Sequence, residues 1–68
     1  MKLRINGQFM DIDKQTIQTV EDLLHSLDLG VKTVVVERNQ QILHKEQHAA
    51  TPVEDGDTIE IVHFVGGG

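Results

Sequence analysis

Three consecutive glycines, Gly66, Gly67 and Gly68, follow an apolar, β-favouring run, Ile61-Val62-His63-Phe64-Val65. No charged or bulky residue comes after them. The chemistry such an ending offers is that of a bare α-carboxylate on a thin tether. Gly68 is therefore the residue expected to react, with Gly66 and Gly67 threading a partner's narrow channel. Glycine has no Cβ, so a channel can close tightly around it. Three extended residues reach roughly 10 Å at ~3.3 Å each. The competing reading is a frayed terminus, where disorder concentrates in most domains.

Other chemistry is poorly represented. His44 and His48 have the spacing of a helical metal pair, but Lys45-Glu46-Gln47 between them does not fit the His-Glu-x-x-His pattern. Both read as solvated surface histidines, and His63 as a structural residue. Glu54-Asp55-Gly56-Asp57 lacks the ligand spacing of a calcium loop and reads as a turn. The single serine, Ser26, has no base in view. With no cysteine there is neither a thiolate metal site nor a cysteine nucleophile. No catalytic residue, metal site or bound cofactor is expected, which favours a carrier over an enzyme.

Sixty-eight residues suffice for one small domain. With no disulfide, an apolar core must hold it together. The absence of cysteine fits a reducing compartment. Met1-Lys2-Leu3-Arg4 is not followed by the apolar run of a signal peptide. No stretch is long enough to span a membrane. The expected location is cytoplasmic. The net charge of −5, the scattered basic residues and the two aromatics, Phe9 and Phe64, argue against nucleic-acid binding. An acidic chain suits docking on a basic patch of a larger partner.

The elements that must position the tail can be taken in order. Leu3 and Ile5 share a face of a first strand, and Asn6-Gly7 is a hairpin turn because both residues accept positive φ. Residues 9–13 form the returning strand, with Met10 and Ile12 inward and Phe9 outward. Thr19 opens a helix, with Asp22 completing a weak capping box. Val20, Leu23, Leu24 and Leu27 fall on one stripe. Gly30 is the expected stop, in the left-handed position. Residues 33–38 form a valine-rich strand, with Val34 and Val36 on one face and Val35 on the other. Asn39-Gln40 is a turn, and residues 41–44 a short strand. Residues 45–52 read as a loop or short helical turn. Residues 58–65 form the last strand, in which Ile59, Ile61, His63 and Val65 face inward and Glu60, Val62 and Phe64 outward. The fold class is α+β: a mixed sheet of four to five strands crossed by one helix. Residues 1–65 make the domain and residues 66–68 a flexible tail.

This order, with a glycine tail, resembles the β-grasp fold of ubiquitin-like proteins. The local resemblance is closer. Val35-Val36-Glu37-Arg38-Asn39, the turn Asp55-Gly56-Asp57 and the run from Ile59 to Gly68 are similar to the ThiS family, the sulfur carriers of thiamine thiazole biosynthesis in bacteria. That family usually ends in two glycines after a variable small or apolar residue, and Gly66 takes the variable position. The resemblance implies that a ThiF-like adenylyltransferase uses ATP to convert the Gly68 carboxylate into an acyl-adenylate. A persulfide sulfur, ultimately from cysteine, then replaces the adenylate and leaves a thiocarboxylate. A ThiG-like thiazole synthase receives that sulfur.

Ordering a flexible tether on binding costs entropy, so the body of the domain should supply compensating contacts. Val62 and Phe64, with Val35 and Phe9, are expected to form an apolar docking patch beside the root of the tail. A register slip would instead make Phe64 core. Two other readings stay open. One is the small sulfur-carrying subunit of molybdopterin synthase. The other is a ubiquitin-like interaction module whose tail is inert or is conjugated to lysines.

Overall fold

The computed structural model describes residues 1–64. Val65, the glycine tail and the domain boundary expected there lie outside them. Five strands form one sheet. They are β1 (Lys2–Ile5), β2 (Gln8–Asp11), β3 (Val34–Arg38), β4 (Gln41–Leu43) and β5 (Thr58–His63), in the spatial order β2-β1-β5-β3-β4. β1 and β5 run parallel at the centre, and every other pairing is antiparallel. One helix, α1 (Val20–Ser26), covers one face. A single 3₁₀ turn, Lys45–Gln47, stands where a loop or short helical turn was expected. The sheet therefore has five strands, and the arrangement is a β-grasp.

Both tight hairpins use two successive residues of positive φ, which matches the right-handed twist of the flanking strands. Asn6 and Gly7 (φ 49° and 84°) join β1 to β2, as their types require. Asn39 and Gln40 (φ 50° and 72°) join β3 to β4, although Gln40 is a residue that seldom adopts this conformation. Asn39 is held there at both ends of its side chain. Its amide nitrogen donates to Asp57 Oδ1 (2.9 Å), and its Oδ1 accepts from the Thr58 backbone N–H (2.9 Å).

α1 begins as its sequence demands. The Thr19 hydroxyl accepts from the Asp22 N–H (3.1 Å), and Asp22 Oδ2 accepts from the Thr19 N–H (3.1 Å). Seven residues are too few to be helical alone in water. Packing holds the helix, through Val20, Leu23 and Leu24. These meet Leu3, Ile5, Ile12, Val36, Val53, Ile59 and Ile61 in one core. Leu3, Leu23, Ile59, Val20 and Val36 are fully enclosed, and each contributes on the order of 1.5–3 kcal/mol by leaving water.

The helix stop differs from expectation. The left-handed residue after the last turn is Asp28 (φ 62°), not Gly30. Gly30 serves a different need, close approach. A Cβ there would lie 2.6 Å from Nδ1 of His25.

Asp57 ties the turn before β5 to the β3–β4 hairpin. Its carboxylate accepts from Arg38 Nε (2.8 Å), Asn39 Nδ2 (2.9 Å) and the Glu54 N–H (2.8 Å). Burial pushes its carboxyl upward, but the Asn39, Glu54 and Arg38 donors outweigh that, and the net shift is downward. Asp22 is also lowered, chiefly by the Gln18 and Thr19 backbone N–H groups. A depressed carboxylate stabilises the fold above its unfolded value of 3.8, and that contribution is lost as pH falls through the lower folded value. The melting temperature should thus fall as pH drops below about 4, where these two carboxylates take up protons. Asp57→Asn should flatten the acid limb. An acid limb unchanged in this variant would mean that other groups set it.

Candidate functional site

The sheet has one face under α1 and one open face. Strand alternation decides which side chains reach the open face. On β5, Ile59 and Ile61 enter the core, while Glu60 and Val62 point away. Phe64 continues that alternation just beyond the strand. Its N–H donates to the Thr33 carbonyl (3.2 Å), so the ladder with the β3 side extends one step past His63. Val62 lies directly opposite Val35 on β3. Val35, Val62 and Phe64 are 39%, 55% and 54% exposed, so none of them is core. They form a contiguous apolar surface at the end of β5 from which the chain continues to Gly66–Gly68.

Phe9 stands apart. It is 71% exposed and faces the same side, but it sits on edge strand β2, separated from β5 by β1. Its ring lies under the Arg4 guanidinium, 5.8 Å from the ring centroid. Phe9 thus belongs to the far edge of the open face rather than to the patch at the tail root. The sequence reading missed Ile42. It is 65% exposed, on β4 opposite Glu37, where it extends the apolar surface outward from Val35. A third strand with Val35 outward already implied that a residue opposite Glu37 would share its face, but β4 is too short to reveal its own period.

The rim of this surface is acidic. Glu37 and Glu60 are directly opposite each other on β3 and β5. Like charges facing across a ladder are unfavourable. Among the described residues neither makes a salt bridge, since those present involve Arg38 with Glu54 and Asp57. The face therefore joins an apolar patch to an unneutralised negative ledge, which suits a partner surface carrying cationic side chains around an apolar hollow.

The histidines divide. His44 and His63 are exposed, so His63 does not enter the core as its alternation suggested. His48 corrects the expectation of a solvated side chain. It is 6% exposed, and its Nε2 has no hydrogen-bond partner among the described residues. Among those residues no cluster of His, Cys, Asp and Glu could hold a metal ion, and no helix is long and apolar enough to cross a membrane.

The family model described as the ThiS family matches residues 3–68. The chain belongs to the ThiS family. It is 48% identical over 66 residues to the sulfur carrier protein ThiS of Bacillus subtilis strain 168, covering 97% of this chain and 98% of that protein. The crystal structure of ThiS from Geobacter metallireducens superposes with a TM-score of 0.82 at 38% identity, over the whole of both chains. A protein called thiazole synthase from Paramagnetospirillum magneticum is 46% identical over all 68 residues, which make up 20% of its own length. This ThiS-family chain is thus a small sulfur carrier of thiamine biosynthesis with a ubiquitin-like β-grasp fold, a carrier rather than a catalyst.

Proposed function

We propose that Gly68 is the residue on which sulfur is carried. A carboxylate resists nucleophiles because it is anionic and offers a poor leaving group. Joining it to AMP removes both obstacles, so a ThiF-like adenylyltransferase uses ATP to form the Gly68 acyl-adenylate and release pyrophosphate. A persulfide sulfur derived from cysteine attacks the carbonyl carbon. The acyl–oxygen bond to AMP breaks as the acyl–sulfur bond forms. Two electrons from a thiol free the sulfur from its persulfide donor and leave a thiocarboxylate. A ThiG-like thiazole synthase receives that sulfur. ATP belongs to the activating partner, and the carrier needs no cofactor of its own. The whole cycle is placed in the cytoplasm, where thiols stay reduced.

The observation that carries this reading is the similarity to a sulfur carrier over nearly the full length, with Gly66-Gly67-Gly68 included in the family match. The likeness to a thiazole synthase supports thiazole formation over molybdopterin synthesis as the destination of the sulfur. Val35, Val62, Phe64 and Ile42 then dock the body so that Gly66 and Gly67 thread the channel, while Phe9 serves at most as a peripheral contact.

Two measurements test the proposal. Incubated with a ThiF-like adenylyltransferase and ATP, the carrier should stimulate pyrophosphate release in proportion to its concentration; no stimulation would refute adenylation. Phe64→Asp should weaken binding to that enzyme by about ten-fold to a hundred-fold, as expected for an apolar anchor at an interface, with little change in melting temperature. A variant that unfolds would place Phe64 in the core, and one that binds normally would remove it from the docking surface.

A further inference from the structure

The side of the domain away from the open sheet face carries a second concavity. A cavity of about 340 Å³ opens between the end of α1, the segment from Leu29 to Val34, and the 3₁₀ turn. Its wall includes Glu21, His25, Lys32, Lys45 and His48. That size is at the lower end for small-ligand sites.

Its charge runs against the rest of the chain. The chain carries −5, yet here two lysines face one glutamate, a surplus of positive charge before either histidine takes a proton. Neither lysine makes a salt bridge among the described residues. His48 is also on the wall, with its Nε2 enclosed and without a partner among the described residues. An unsatisfied buried polar atom is costly, so it calls for an explanation. The carbonyls at the end of α1, which would repel an anion, are already engaged. Those of Leu23, Leu24 and His25 accept from the N–H groups of Leu27, Leu29 and Asp28 at 2.8–3.1 Å. The missing Cβ at Gly30 lets the His25 ring sit against the backbone at the rim.

We propose that this cavity binds an oxyanion, a single phosphate or carboxylate group, held by Lys32 and Lys45 with the exposed His25 as a further donor and His48 on the wall beside them. The site is distinct from the open-face docking surface. It nevertheless touches the root of the tail, because Val34 on its wall pairs with His63 and the Thr33 carbonyl accepts from the Phe64 N–H. An anion bound here would therefore sit against the strand end from which the tail departs.

Titrating the full-length, isotope-labelled chain with sodium phosphate at fixed ionic strength tests this. Amide and imidazole resonances of His25, Gly30, Lys32, Lys45 and His48 should shift saturably and together. Lys32→Ala/Lys45→Ala should weaken binding by about ten-fold or more, equivalent to losing one to two charge-assisted hydrogen bonds. Lys2→Ala, on β1 and outside the cavity wall, should leave binding unchanged. Both substituted lysines are exposed, so the double variant should keep its fold, which its remaining resonances report. Acetate serves as the second probe: saturation by acetate as well points to a carboxylate of a partner, and saturation by phosphate alone to a phosphate group. Shifts that never saturate with either anion, or a double variant that binds as the parent does, would overturn the proposal.

Discussion

A chain lacking Gly68, or carrying one residue beyond it, is expected to accept no sulfur while its melting temperature stays unchanged. The proposed cycle needs the terminal carboxylate at the reacting phosphate of ATP and, later, at a persulfide. Removing or adding one extended residue displaces it by roughly 3.3 Å along the tether. A displacement of only 1 Å can cost about a hundred-fold in rate, so loading should drop by at least that factor in both variants. Stability should not follow, because the buried core runs from Leu3 to Ile61, well before Gly68. Initial rates of sulfur loading against the parent, beside thermal melts, supply the check. Loading within a few-fold of the parent in either variant would place the reactive group somewhere other than Gly68.

The largest loss of stability from a single polar substitution should come from Asp57→Ala. Asp57 is nearly enclosed and accepts three hydrogen bonds that hold the β3–β4 hairpin against the turn entering β5. Truncation leaves Arg38, Asn39 and the Glu54 N–H without their acceptor, and Arg38 is itself largely covered. Removing one partner of such a set costs about 3 kcal/mol. A chain of this length is stable by roughly 3–10 kcal/mol in total. With about 4–8 °C per kcal/mol for a domain of this size, the melting temperature should fall by roughly 12–24 °C. Asp57→Asn keeps the shape and part of the hydrogen bonding, so it should lose less. A drop of only a few degrees for Asp57→Ala would show that water replaces the carboxylate without penalty.

Much of the architecture can be read from residue types because the local signals agree with one another. Asn6-Gly7 demands a tight hairpin, and both residues do adopt positive φ. Thr19 and Asp22 cap the helix reciprocally, even with the shorter Asp in place of Glu. Alternation along β5 places Val62 and Phe64 outward, and the exposure of each bears this out. What failed depended on tertiary neighbours. Glycine is the common left-handed stop, but Asp28 takes that conformation here, and Gly30 answers to the His25 ring instead. His48 looks polar and exposed in a stretch without period. It is buried because residues 45–52 fold back against α1, where the His48 carbonyl accepts from the Glu21 N–H (3.0 Å) and that of Thr51 from the Val20 N–H (2.9 Å). Phe9 was grouped with Val62 by its face alone. Strand order, which one sequence does not specify, puts β1 between them.

The candidate site was legible to the same depth. The end of β5 and its glycines stand out because Val62 and Phe64 are apolar yet alternate away from the core, and the sequence then runs into three glycines. Ile42 and the opposed Glu37 and Glu60 could be found only through the pairing of β3 with its two neighbours. Together they describe a surface that combines an apolar patch with uncompensated negative charge, next to the strand that feeds the tail. In the proposed docking, that combination would supply a partner with both affinity and orientation.

Intact-mass spectrometry of the carrier, co-expressed with a ThiF-like adenylyltransferase and a persulfide sulfur source, tests the central claim most directly. The account predicts a single new species whose mass reflects exchange of one oxygen for sulfur, localised to Gly68 by fragmentation and absent when the adenylyltransferase or ATP is withheld. An unchanged mass under conditions that load a known sulfur carrier, or a ladder of isopeptide conjugates on other proteins, would contradict it.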